Sequence, residues 1–295
     1  MDLDTLIITV FCQIDDALPT VFNGTRLRER GREPLLSDAE VLTMETVGEF
    51  LGLAQDKQVF EYFRRHYQNF FPSLGKVHRT TFARQAANLW RVKEKLWQLV
   101  LSGLDFDSEI SLIDSFPLEV CRLARANRCR RLREISAYGY DEVARQTFFG
   151  VRFHLRVCLP GVITTFEFAP ADIDELKVAE DLFERVSGFA LGDRNYWSPA
   201  WFEICRRKGL QIIAPFRSAK REKRRFPRRL TNLRRRIETV IGQLAECFSI
   251  KRVWARDAWH FCSRLLRKVL AHTIFVGLCQ KQNCEPLQMA QLLSF

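Results

Sequence analysis

The sequence predicts an α/β protein in which an all-helical N-terminal region precedes a five-stranded mixed sheet with flanking helices. Two observations support this prediction. Apolar residues recur at helical spacing up to about residue 105, and after residue 108 short β-rich runs alternate with amphipathic segments. The length of 295 residues and the apolar fraction of 47% are sufficient for a folded core. We place the domain boundary so that the domains are residues 1–105 and 106–295.

The N-terminal region contains three segments with helix signatures. Ser37 followed by Glu40 has the pattern of a capping box, and the apolar stripe after it ends at Gly52. A second helix is expected within residues 56–71, and a third begins at Thr80 and runs to residue 104.

Basic residues on or beside the third helix suggest a function for this region. Three short helices with Arg84 and Arg91 on the last predict a helix-turn-helix-like unit that binds DNA. A plain helical bundle with solvated basic residues explains the same pattern, because no base-reading residue can be named.

The second region contains the strands. Residues 109–116 (EISLIDSF) form the first strand, and residues 148–170 form a hairpin around Pro160 and Gly161. The remaining elements are a helix in 174–188, a strand in 189–193, a helix in 198–209, a strand in 210–216 and a helix in 230–248. This order predicts a mixed sheet with helices packed on it.

Two classes of function are disfavoured by the sequence. Acidic residues occupy the N-terminal positions where a signal peptide needs positive charge, and no run reaches the roughly 18 apolar residues of a membrane span. No G-x-x-x-x-G-K-[ST] motif is present, so we expect no nucleotide cofactor. We therefore expect a cytoplasmic protein without a membrane partner.

The net charge of +11 is concentrated in one basic segment, residues 216–236, which holds eleven Lys or Arg against one Glu. Arginine dominates, which suits bidentate recognition of phosphate, and the segment lies inside the folded chain. These features favour a nucleic-acid partner over a solvated loop. The predicted contacts are Arg217, Lys220, Arg221, Lys223, Arg224, Arg225, Arg228, Arg229, Arg234 and Arg235.

Three carboxylates occupy positions that favour chemistry. Asp114 lies within the first strand, Asp193 ends the fourth strand, and Glu238 lies at the flank of the apolar stripe of the last helix, whereas Glu246 points away from the sheet. Together they would form an all-oxygen site suited to two Mg²⁺ or Mn²⁺ ions that promote phosphodiester chemistry. Two ordinary turn acids and a surface glutamate explain the spacing equally well.

The motifs around these acids also resemble a known family. LIDSFPLEVC, GDRNY and IETVIGQL resemble the three acidic motifs of bacterial insertion-sequence transposases of the DDE type, and are most similar to insertion-sequence family nine-eighty-two. SDAEVLTMETVGEFLGL, RTTFARQAANLW, FFGVRFHL and EPLQMAQLL are similar to other parts of that group, so the resemblance covers nearly the whole chain.

The resemblance implies a ribonuclease-H-like catalytic domain with Asp114, Asp193 and Glu238 as its metal-binding triad. It implies DNA transposition, in which one strand is cut at the end of the element and the freed 3′-hydroxyl attacks target DNA. The expected partners are transposon ends and target DNA, and a homodimer would handle two ends. A nuclease of the same fold without strand transfer, and an inactive DNA-binding relic or repressor, are the alternatives.

Overall fold

A computed structural model describes residues 1–24, 27–28, 31–217 and 225–293. The helices are α1 (Leu3–Phe22), α2 (Asp38–Phe50), α3 (Asp56–His66), α4 (Arg79–Asn88), α5 (Trp90–Ser102), α6 (Glu175–Leu182), α7 (Pro199–Arg207), α8 (Arg228–Glu246) and α9 (Ala258–Lys281). The strands are β1 (Asp107–Cys121), β2 (Ala137–Asp141), β3 (Gln146–Leu159), β4 (Val162–Pro170), β5 (Gly188–Leu191) and β6 (Leu210–Ile213).

The chain divides into two compact units. One, the helical unit, comprises residues 1–104 and 243–295, and the other, the sheet unit, comprises residues 105–242. Helix α9 packs against α2, α4 and α5 within the helical unit. Residues 243–295 thus group with the N-terminal helices, whereas our prediction placed them in the second domain. The assignment of functions to the regions 1–105 and 106–295 stays a prediction.

The helical unit confirms the predicted start of α2. The Ser37 side chain accepts a hydrogen bond from the Glu40 backbone N–H at 3.1 Å, and the Ser37 N–H donates to the Glu40 carboxylate at 2.6 Å. This reciprocal pair is the capping box that the sequence predicts, and it satisfies two donors that the first helical turn leaves unpaired.

The predicted third helix is wrong in one respect, because it is two helices. The backbone leaves helical geometry at Leu89 (φ −81°, ψ 10°), where α4 ends and α5 begins. Leu89 is fully buried, so the change of direction keeps an apolar side chain in the core. A run of helix-forming residues with an unbroken apolar stripe does not signal such a break.

Among the described residues, helix α1 is long and apolar enough to cross a membrane. Length and composition alone are weak evidence for a membrane span when a single helix near the N-terminus meets them. Its buried residues include Leu6, Val10 and Ile14, and it packs against α2 and α5. One face of α1 therefore packs within the helical unit, and 33% of its most apolar window is buried.

The sheet unit is a mixed α/β structure with a six-stranded sheet. β1 is central: it pairs antiparallel with β3 and parallel with β5, and β6 extends the sheet parallel to β5. Along its other edge, β3 pairs antiparallel with β2 and then with β4. The predicted fold class, a mixed α/β sheet with flanking helices preceded by an all-helical region, is confirmed. The sixth strand, β2, was not predicted, because its sequence AYGYD is short and contains a central glycine.

A buried charge network lies inside the helical unit. Its members are Glu45, Glu49, Asp56, Lys93, Arg267 and Lys268. Lys93 lies 2.7 Å from Glu45, and Lys268 lies 2.7 Å from Glu49, with side chains that are at most 3% exposed. Arg267 contacts both glutamates and Asp56. The network joins α2, α3, α5 and α9. Each buried cation contacts at least one carboxylate, as burial of ions requires, and the partly exposed Arg264 also contacts Asp56.

Two buried histidines predict that acid destabilises the protein. Burial lowers the pKa of His272 to about 3, and burial, with the nearby Arg152 charge, lowers the pKa of His154 to about 4. Both are neutral in the folded chain and bind protons more readily when unfolded, where the pKa is about 6.5. Their contribution is complete above pH 6.5 and is lost as the pH falls towards 4 and 3.

We expect the melting temperature, measured by circular dichroism, to fall between pH 6.5 and 4, and to fall less steeply in His154→Leu. Neither ring nitrogen of His154 has a hydrogen-bond partner in the part of the chain that the structure describes, so leucine removes a protonation site without breaking a bond. The exposed His66 provides the control variant His66→Gln. Equal slopes for wild type and His154→Leu would contradict this prediction.

Candidate active site

Asp114 lies on the central strand of the sheet. Its side chain is 20% exposed, and one carboxylate oxygen accepts a hydrogen bond from the Ser115 N–H at 2.8 Å. Burial, and next the charge of Asp193, raise the pKa of Asp114 to about 7. A carboxylate held beside a like charge in a desolvated position favours a bound cation.

Asp193 reaches the same level of the sheet from the neighbouring strand. β1 and β5 are parallel, with Leu112 paired to Leu191, and each aspartate lies two residues beyond its paired leucine. Adjacent strands are about 4.8 Å apart, and residues two apart share a face, so the register brings the two acids side by side.

Asp193 also has the turn role that its sequence context suggests. Its side chain accepts a hydrogen bond from the Asn195 N–H at 2.9 Å and caps the 3-10 turn Arg194–Tyr196. Gly192 is needed there, because a Cβ at this position would lie 2.8 Å from the Tyr196 side chain. The turn therefore fixes one carboxylate oxygen of Asp193.

Glu238 lies on α8, whose apolar stripe is buried as predicted, including Ile237 and Val240. The Glu238 side chain is exposed. One helical turn earlier, Arg234 lies 3.6 Å from an Asp114 carboxylate oxygen. The helix therefore presents to Asp114 the face that carries Glu238, but an arginine makes the contact.

The structure does not assemble the predicted triad around a common point. Within the described ranges, no group of three or more His, Cys, Asp or Glu side chains is arranged to hold a metal ion. Asp114 and Asp193 are neighbours, and Glu238 is not among the main causes of the pKa shift of Asp114. The pair by itself is an all-oxygen donor set, which fits Mg²⁺ or Mn²⁺ better than zinc.

A further acid that the sequence analysis missed lies beside this pair. Glu175, the first residue of α6, forms an ion pair with Arg152 of β3 at 3.0 Å, and both side chains are about 15% exposed. Burial raises the pKa of Glu175; Arg152 opposes the shift, and the Asp193 charge adds to it. The sequence signal was an acid at the start of the helix that follows the hairpin.

The predicted basic residues divide into three groups. The exposed ones are Arg217, Arg225, Arg228, Arg229, Arg235, Arg84 and Arg91. Lys220, Arg221, Lys223 and Arg224 lie outside the described residues. Arg234 is 18% exposed and contacts Asp114.

The helical unit carries a basic cleft that the sequence analysis did not identify. The cleft measures about 520 Å³ and is lined by Phe60, Glu61, Arg64, Arg65, Gln68, His78 and Arg79. Its three arginines are exposed, and no carboxylate lies within ion-pair distance of them among the described residues. An exposed cluster of unpaired arginines suits a polyanion such as the DNA backbone.

The chain resembles known proteins in structure and in sequence. The chain is similar to a solved structure described as "Cryo-EM structure of piggyBac transposase synaptic complex with hairpin DNA (SNHP)", with 9% identity, a TM-score of 0.49 and coverage of 96% of this chain and 76% of that chain. No curated protein matches the sequence. The family model described as "Transposase DDE domain" matches residues 106–257, which include Asp114, Asp193 and Glu238 and make up just over half of the chain. The chain therefore belongs to the transposase DDE domain family.

Proposed function

We propose that this protein is the transposase of a bacterial insertion sequence of the family nine-eighty-two type. In this proposal it cuts DNA strands at the ends of the element and joins the freed 3′-hydroxyl to target DNA. It acts as a homodimer in the cytoplasm, associated with the nucleoid. The observation that supports the proposal most directly is the register that places Asp114 beside Asp193 in a chain of the DDE family.

The site residues have separate roles in this proposal. Asp114 and Asp193 supply carboxylate oxygens from adjacent strands, with one Asp193 oxygen already oriented by the Asn195 N–H. Glu238 would become the third ligand after Arg234 releases Asp114, because Arg234 and Glu238 lie on the same face of α8. These carboxylates would hold two divalent ions, Mg²⁺ or Mn²⁺, which would supply the Lewis-acid chemistry that activates a hydroxyl nucleophile and stabilises the leaving oxygen of a phosphodiester.

The basic segment begins beside the acids. The Arg194 guanidinium, directly after Asp193, donates a hydrogen bond to the Phe216 carbonyl, and the Trp197 ring contacts the Phe216 ring at 4.4 Å between centroids. These contacts tie the Asp193 turn to the first residue of the basic segment. Exposed arginines such as Arg217 would therefore bind the DNA backbone close to the reacting phosphate.

A strand-transfer assay tests the proposal. An end-labelled DNA carrying a terminal repeat of the element, with and without a pre-cut 3′-hydroxyl, is incubated with the protein, target DNA and Mg²⁺. We expect cleavage products and joined products that disappear with chelator. Cleavage without joined products would identify the nuclease instead, and no metal-dependent product with any DNA would contradict the proposal.

The basic cleft yields a prediction about DNA affinity. We expect the double variant Arg64→Ala/Arg65→Ala to weaken duplex binding and to reduce the slope of log K against log salt by about 2, since each arginine that contacts a phosphate contributes about 1. Fluorescence anisotropy at several salt concentrations measures both quantities.

The matched control is Arg206→Ala/Arg207→Ala on α7, because both of these exposed arginines are already paired with Glu203. An equal effect of the two double variants would show that the cleft has no specific part in DNA binding.

A further inference from the structure

Glu175 is positioned towards the pair of aspartates by the backbone of the sheet unit. The Asp174 side chain caps α6 by accepting a hydrogen bond from the Leu176 N–H at 2.8 Å, which fixes where the helix begins. Helix α6 packs on β3 and β4 and contacts the 3-10 turn Arg194–Tyr196 that follows Asp193. Its first residue, Glu175, therefore starts from a rigid position close to the turn.

A chain of contacts leads from Glu175 to Asp114. The Arg152 Nη1 atom lies 3.0 Å from a Glu175 carboxylate oxygen and 3.5 Å from the Ser115 hydroxyl. The Ser115 N–H in turn donates to Asp114 at 2.8 Å. Glu175 is thus separated from Asp114 by one guanidinium and one serine.

The charges around this point are uneven. Three carboxylates, those of Asp114, Asp193 and Glu175, face two arginines, Arg152 and Arg234. The charges of Asp193 and Glu175 both oppose ionisation of Asp114. A divalent cation would relieve this repulsion, and each arginine already contacts one of the acids that such an ion would bind.

The fully buried Tyr196 side chain lies near these charges. Its hydroxyl makes no hydrogen bond of normal geometry among the described residues, although the Ser115 hydroxyl lies close to it. Burial raises its pKa, and the charges of Glu175, Asp114 and Asp193 raise it further. Each of the three carboxylates is therefore close enough to Tyr196 to affect its pKa.

We propose that Glu175 is a further carboxylate of this site and ligates, directly or through one water, the divalent ion held by Asp114 and Asp193. The inference rests on the function proposed above. The Glu175 carboxylate would have to leave the Arg152 guanidinium in order to bind the ion, because Asp114, Asp193 and Glu175 are not arranged around one point among the described residues.

The alternative is that Glu175 serves only to neutralise Arg152 and hold α6 on the sheet. The two ideas differ in what they predict for Arg152. If Glu175 is a ligand, removing the Arg152 charge frees the Glu175 carboxylate, and the affinity of the protein for the divalent ion stays unchanged or increases. If the ion pair is purely structural, loss of either partner has the same effect.

The test is a titration of the full-length protein with Mn²⁺, followed by the electron paramagnetic resonance signal of the free ion. We expect Asp114→Asn and Glu175→Gln each to raise the Kd for Mn²⁺ at least about tenfold, as loss of a ligand or of its supporting group does. Arg152→Gln should leave the Kd unchanged or lower it. Glu180→Gln, an exposed acid on the same helix, is the matched control and should remain within about twofold of wild type.

Each outcome has a defined meaning. Equal weakening by Glu175→Gln and Arg152→Gln, or no weakening by Glu175→Gln while Asp114→Asn weakens binding, overturns the inference and leaves the proposed function intact. No effect of Asp114→Asn overturns both. If Glu175→Gln fails to fold, as judged by circular dichroism, the double variant Arg152→Gln/Glu175→Gln removes both charges of the pair. It should fold and still lose Mn²⁺ affinity.

Discussion

Replacing Asp114 with Asn is expected to lower the rate of metal-dependent DNA cleavage roughly 1,000-fold or more, because the site loses a charged ligand from its central strand. Asparagine has the same shape and keeps the oxygen that accepts from the Ser115 N–H. The readout is the initial rate of cleavage of end-labelled DNA in saturating Mg²⁺.

The fold should survive this substitution. Burial and the Asp193 charge raise the pKa of Asp114 to about 7, so the folded protein favours the uncharged form of this side chain. A neutral amide there should leave the melting temperature unchanged or raise it. Loss of activity together with an intact melting curve would assign a chemical role to Asp114 and separate it from a structural one.

Asp141→Asn is the matched control. Asp141 ends β2, and its side chain accepts hydrogen bonds from the Val143 and Ala144 N–H groups, which an asparagine oxygen can also do. This variant should keep wild-type cleavage. Equal activity of wild type and Asp114→Asn would exclude the two-aspartate site and leave a DNA-binding relic as the better explanation of the chain.

Replacing Glu49 with Ala is expected to reduce the free energy of unfolding by about 3–5 kcal/mol, because it leaves buried cations without a carboxylate. Lys268 lies 2.7 Å from Glu49 in a position where both side chains are 1% exposed. Arg267 keeps Asp56 and Glu45 as partners, whereas the Phe248 carbonyl is the one hydrogen-bond partner that Lys268 keeps among the described residues. The loss should lower the melting temperature by about 10 °C.

Two further variants make this prediction specific. Glu61→Ala removes a carboxylate that is 57% exposed and should change the free energy of unfolding by less than about 1 kcal/mol. Glu49→Met/Lys268→Met removes both buried charges and should recover a large part of the lost stability, because apolar residues of similar volume replace a buried pair at little cost. A double variant as unstable as Glu49→Ala would contradict this account of the network.

The sequence by itself determined the features that depend on local pattern. The capping box of α2, the hairpin around Pro160 and Gly161 and the alternation of strands and helices follow from residue periodicity and turn chemistry, which act over a few residues. The position of Asp114 within one strand and of Asp193 at the end of another could be found in the same way, and with them the all-oxygen character of the candidate site.

Tertiary structure alone decided which distant residues meet. The parallel register of β1 and β5 brings Asp114 and Asp193 together. Helix α8 places Arg234 against Asp114 and leaves Glu238, one turn further along the same face, exposed. The sequence also could not predict three other features: the Arg152–Glu175 pair, the grouping of α9 with the N-terminal helices and the buried charge network. The physical reason is that a charged residue in a sequence is normally predicted to be exposed. Whether it is buried depends on an opposite charge from a distant part of the chain, and only tertiary packing decides whether that charge lies beside it.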